Sequence, residues 1–107
     1  MESGRTTVNK TPKLFQPPKV PLESDIQSDI IDFAHIRGWF CEKIESRSGR
    51  GIMDLICIRA GRHVWIEVKR PGETPRPQQV KRSREMRSHG AEVYAVDSLE
   101  QARGILR

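Results

Sequence analysis

Two residues apart in the run Val64 to Lys69 stand a carboxylate and an ammonium, Glu67 and Lys69, and a second carboxylate, Asp54, opens the apolar run before it. Alternation along an extended strand sends Val64, Ile66 and Val68 one way and Trp65, Glu67 and Lys69 the other. Strand rise separates Glu67 from Lys69 by about 6.6 Å, a span one phosphate group can touch at both ends. Exposed strands often pair opposite charges for no chemical purpose, so this pair alone decides nothing. Asp54 adds the second acid, because a tight turn around Ala60, Gly61 and Arg62 folds the start of one run against the end of the next. Two carboxylates held together without a cation repel and one takes up a proton, whereas a divalent ion keeps both charged. Oxygen ligands of this kind suit Mg2+ or Mn2+, which complete their shells with waters and substrate phosphate oxygens. Zinc is disfavoured, since no histidine or cysteine belongs to the group, and His35, His63 and His89 are scattered along the chain. The chemistry that fits is attack of water on a phosphodiester. An ion so held would bind the phosphate and acidify the water.

Positioning these groups needs a hairpin and something to support it. Residues 54–59 and 63–69 read as its two strands. Before them, Ile26, Ile30, Phe33 and Ala34 recur at helical spacing from Glu23, and Gly38 supplies the stop. Residues 39–45 form an aromatic and apolar strand, ended by a Gly/Ser/Arg loop over 46–51. After Lys69 a proline-rich stretch cannot continue a ladder, and Pro77 opens a second helix that ends at Gly90. Residues 91–96 give a last strand. Ser98 with Gln101 forms a capping box for a closing helix whose apolar face is Leu99, Ala102, Ile105 and Leu106. The order αβββαβα predicts an α/β fold, a mixed four-stranded sheet flanked by helices.

At 107 residues the chain has room for one modest core. Residues 1–21 hold four prolines with Arg5, Lys10, Lys13 and Lys19 and read as a flexible basic arm before a domain over 22–107. Nineteen Lys and Arg against fourteen Asp and Glu give a net charge of +5, and the pI is near 9.7. That balance suits a polyanionic partner. A phosphate-gripping surface is expected at Arg47 and Arg50 before Asp54, at Arg70 and Arg76 after Lys69, and at Lys81, Arg82, Arg84 and Arg87 on the second helix. Cys41 and Cys57 sit in strand-like runs and read as buried thiols in a reducing cytosol. No apolar run approaches the roughly 20 residues of a membrane span, and the N-terminus lacks the apolar core of a signal peptide.

Glu23, Ile26 and Gln27 in the first helix, Gly51 three residues before Asp54, Glu67 with Lys69, and Gln79 early in the second helix together resemble the PD-(D/E)xK nuclease superfamily. Within it they are similar to the virus-type replication-repair nuclease (VRR-NUC) domain, over about residues 23–106. Met53 departs from the pattern, which often has proline before the aspartate. The resemblance implies a restriction-endonuclease-like core and a Mg2+- or Mn2+-dependent endonuclease acting on DNA. Asp54, Glu67, the Val68 carbonyl and Glu23 would hold the metal, Lys69 would be catalytic, and Gln79 would lie at the edge of the site. It further implies a homodimer that resolves four-way junctions, in a bacterial cell or a phage-infected host. The alternatives are a flap or other branched-DNA nuclease of the same superfamily, or a DNA-binding module without catalysis.

Overall fold

The computed structural model describes residues 20–45 and 53–107. The basic arm over residues 1–19 and the loop with Arg47 and Arg50 lie outside the described residues. The elements are α1 (Glu23–Ile36), β1 (Phe40–Lys43), β2 (Leu55–Arg59), β3 (Arg62–Val68), α2 (Pro77–Ser88), β4 (Glu92–Val96) and α3 (Leu99–Ile105). The strands form one sheet in the order β1-β2-β3-β4. The first two pairings are antiparallel and the β3–β4 pairing is parallel, giving the mixed four-stranded sheet expected of the sequence.

The core lies on one face of the sheet. Cys41, Leu55, Cys57, Val64, Ile66, Val68 and Val96 meet the stripe Ile26, Ile30 and Ala34 of α1 and Ala102 and Leu106 at the end of α3. Each large aliphatic side chain removed from water here contributes about 1.5–3 kcal/mol. Strand alternation turns Glu67 to the opposite face, and α2 crosses there. This helix buries no residue of its own, but Ser83 reaches the buried Met53 at 4.0 Å. Met53 thus fills the space beneath α2.

Arg59 pairs with Arg62, leaving Ala60 and Gly61 as a two-residue loop with φ of 50° and 80°. Both central residues take positive φ, as a type I′ turn requires, and its twist matches that of the flanking strands. Helix α1 stops as the sequence suggests: the Gly38 N–H donates to His35 O and the Trp39 N–H to Ala34 O, the two bonds of a Schellman motif. That bond takes Trp39 out of the first strand, which spans 40–43 and not 39–45. Strand β3 begins at Arg62 and ends at Val68, although the Lys69 N–H still donates to Val96 O at 2.8 Å. Helix α2 ends at Ser88, with Gly90 in the stop that follows it. At α3 the Ser98 hydroxyl accepts from the Gln101 N–H, but Gln101 returns its carbonyl to the Asp97 N–H. The reciprocal bond of the expected capping box therefore falls one residue earlier.

Candidate active site

Asp54 immediately precedes β2, and its carbonyl accepts from the Ile44 N–H at 2.7 Å, so the ladder with the β1 side continues past the strand. Leu55 pairs with Ile66. One further step of this register sets Asp54 opposite Glu67, and the Val68 N–H donates to Asp54 Oδ2 at 2.7 Å. The hairpin thus brings together the two carboxylates that the sequence separates by thirteen positions. Glu67 is 3% exposed. Its Oε2 lies 3.3 Å from Lys69 Nζ and accepts a hydrogen bond from Gln79 Nε2. The Gln79 carbonyl accepts from the Arg76 N–H at 3.0 Å, at the start of α2. One amide therefore caps a helix with its oxygen and holds the acid with its nitrogen.

From the other face, α1 contributes Glu23 and the buried Gln27, one helical turn apart. Gln27 donates to the Asp54 carboxylate. Beyond Lys69 the chain turns at Pro71 and Gly72. Gly72 has φ of 90°, the Glu73 N–H donates to Arg70 O, and the pattern is that of a type II turn. The reversal brings Glu73 back, where its Oε1 accepts from the Arg70 N–H at 3.0 Å and its carboxyl shares a hydrogen bond with Glu23.

Burial dominates the electrostatics. Desolvation, with the charge of Asp54 beside it, pushes Glu67 up to about 7 despite Lys69 and Gln79. Asp54 is also raised by burial, against the pull of the Val68 N–H, Lys69, Lys43 and Gln27. Burial and the bond to Glu73 raise Glu23, while the Arg70 N–H holds Glu73 low. Asp54, Glu67 and Glu23 therefore ionise reluctantly unless positive charge arrives.

No protein-family model matches the chain. The protein named "Putative nuclease p44" of Acyrthosiphon pisum secondary endosymbiont phage 1 is 29% identical over 77 residues, 71% of this chain and 83% of its own. A solved structure described as a VRR_NUC domain matches with a TM-score of 0.70 and 28% identity, over 78% of this chain and 92% of its own. The chain resembles a VRR-NUC domain in both fold and sequence.

Among the described residues, no three His, Cys, Asp or Glu side chains form a ready cage for a metal. Mg2+ and Mn2+ seldom need one, being held by one or two carboxylates with substrate phosphates and water. The donors here fit that habit: Asp54 and Glu67 face each other, and the buried Glu67 Oε1 has no hydrogen-bond partner among the described residues. An acceptor so placed is costly unless a cation or a proton meets it.

The basic residues divide into two groups. Arg70 gives its guanidinium to the Pro21 and Val20 carbonyls, and Arg87 gives Nε and Nη2 to Val93 O. Both were expected to grip phosphate, and both instead brace the fold through backbone oxygens. Arg76, Lys81, Arg82 and Arg84 are exposed before and along α2. His35 donates to Cys41 O and His89 to Glu85 O, away from the acids, and His63 is exposed on β3. Cys41 and Cys57 are free and buried, with their sulfurs 2.9 Å apart across β1 and β2.

Sequence reasoning assigned no role to Gln27 or Glu73. Gln27 is the inward polar residue beside an apolar stripe, and Pro71-Gly72 announces a reversal that returns the next residue. Those were the available signals.

Proposed function

We propose that this chain is a VRR-NUC domain and a Mg2+- or Mn2+-dependent endonuclease that hydrolyses phosphodiesters in branched DNA, resolving four-way junctions as a homodimer. The likeness to the phage protein and to the VRR_NUC structure supports a nuclease. The single observation carrying the mechanism is Asp54 set opposite Glu67 with Glu67 Oε1 buried between elements and unpartnered among the described residues. Asp54, Glu67, the Val68 carbonyl and Glu23 would hold the ion, which when bound supplies polarisation of the phosphate and a more acidic water.

The remaining work belongs to the chain. Lys69, 3.3 Å from Glu67, places a compact cation where charge gathers on the phosphate. Gln79 fixes the Glu67 rotamer from α2, and Gln27 does the same for Asp54 from α1. Packing on both faces limits water around Glu67, which strengthens every charge interaction there. Arg76, Lys81, Arg82 and Arg84, with Arg47 and Arg50, would grip flanking phosphates. Pairing about a two-fold axis would offer two sites for two symmetric cuts.

The test incubates the protein with labelled four-way junction, flap and linear duplex in Mg2+ or Mn2+, beside Asp54→Asn and Lys69→Ala. Cutting by the wild type alone, with the junction preferred, is the expected result. Preference for the flap would assign the alternative substrate. Binding without cutting under either metal would leave a DNA-binding module and end the nuclease proposal. Sedimentation at cutting concentrations measures the pairing.

A further inference from the structure

Two hollows meet beside the candidate active site. One, of about 140 Å³, is bordered by Lys69 and Glu73 and reaches Pro75 and Ala95. The other, of about 180 Å³, starts at the same Pro75 and Ala95, takes in Glu67 and Gln79, and runs beside α2 to Ser83 and Arg84. The shared residues make them one groove, open at the site and lying against the edge strand β4. Its character changes along its length. Lys69 offers a cation at the inner end beside the carboxylates Glu67, Glu73 and Asp97, Pro75, Val80 and Ala95 form an apolar middle, and Ser83, Arg84 and Arg87 give a hydroxyl and further positive charge at the outer end.

Val80 is the unusual member. It is 40% exposed, and apart from Pro77 at the start the other exposed positions of its helix are Gln, Lys, Arg, Ser and Glu, so it is the aliphatic side chain that α2 presents to the groove. An apolar patch between two cations matches one nucleotide: a flat base between two phosphates. A stacked base pair is too large for a hollow of this size.

We propose that this groove receives a single unstacked nucleotide of the strand being cut, the base against Pro75, Val80 and Ala95 and its outer phosphate on Ser83 and Arg84. The inference rests on the nuclease reading and deepens it. An intact duplex must give up full stacking to fill the groove, whereas a nucleotide at a branch point or free end is only partly stacked and gives up less. The groove therefore selects DNA by whether a base is available at the cut, without reading its identity.

The experiment uses the full chain carrying Asp54→Asn, so that DNA is bound and not consumed. The probe is a set of branched oligonucleotides with aminopurine, a base whose fluorescence rises on unstacking, at each position around the branch. A rise confined to the one position beside the wild-type cut supports the groove. In the same background Val80→Trp, which fills the hollow, should abolish the rise and weaken branched-DNA binding about tenfold, the loss expected for one base contact. Val80→Thr should keep both, and thermal melts of the two variants separate groove filling from misfolding. Fluorescence unchanged at every position while the wild type cuts would overturn the groove and leave the nuclease standing. A rise without cutting by the wild type would do the reverse.

Discussion

Asp54 and Val68 are joined across the hairpin, the Val68 N–H donating to Asp54 Oδ2 at 2.7 Å. This bond gives Asp54 a structural duty separable from its charge. Asp54→Asn keeps an acceptor for the N–H and removes the negative charge, so it should melt near the wild type while cutting falls at least about 100-fold, beyond the usual cost of losing an outer-shell partner. Asp54→Ala leaves the N–H without its partner and should also cost about 1–3 kcal/mol of stability. Thermal melts beside cleavage rates distinguish the two.

Glu67 makes stability depend on pH in an uncommon direction. Its folded value of about 7 lies above the ordinary 4.5, so between these values the native state holds a proton that the unfolded chain has released. The contribution of Glu67 to metal-free stability is therefore full below about pH 4.5 and is lost as pH rises through about 7, by on the order of 2–3 kcal/mol. Glu67→Gln should flatten that fall. Mg2+ or Mn2+ should raise the melting temperature at pH 8, where the acids are ionised, and have little effect at pH 5. A metal response equal at both pH values would count against Asp54 and Glu67 as ligands.

Gln79 serves a helix start and an acid at once. Gln79→Ala should cost about 0.5–1.5 kcal/mol of stability from the lost bonds and lower the cutting rate about 10- to 100-fold by freeing Glu67. Gln79→Glu keeps an acceptor for the Arg76 N–H but adds a third acid beside Glu67. It should retain more stability than the alanine variant and no more activity. Melting and turnover measured on both variants test the separation.

Arg70 and Arg82 should behave differently although both are arginines near the site. Arg82→Ala should reduce the slope of log affinity against log salt by about 0.9, one phosphate contact. Arg70→Ala frees the Val20 and Pro21 carbonyls and should lower the melting temperature while leaving that slope unchanged. Salt titrations of DNA binding by both variants read this directly.

The hairpin was legible because its signals are local: alternation along 64–69, a two-residue turn at Ala60 and Gly61, and an apolar run that begins after Asp54. These bring Asp54 to Glu67 with no knowledge of the rest of the chain. Gln27 and Glu73 depend on distant packing, since Gln27 reaches Asp54 only when α1 lies on the core face and Glu73 reaches Glu23 only when the turn returns to α1. The bracing roles of Arg70 and Arg87 were hidden for another reason. Their partners are backbone oxygens, which every residue possesses and no side-chain pattern marks. Gln101 misled in the same way, the capping box being real at the Ser98 hydroxyl and displaced to Asp97 at its return bond.

The parallel pairing of β3 with β4 sets an order of assembly. A two-residue hairpin closes within microseconds, so Asp54 and Glu67 meet early, while β4 must return across α2 before it can dock. Helix α2 crosses the sheet between these strands and carries Gln79. The carboxylate pair is therefore gathered while still wet, and Glu67 dries and comes to want a cation only when the distant α2 and β4 close around it.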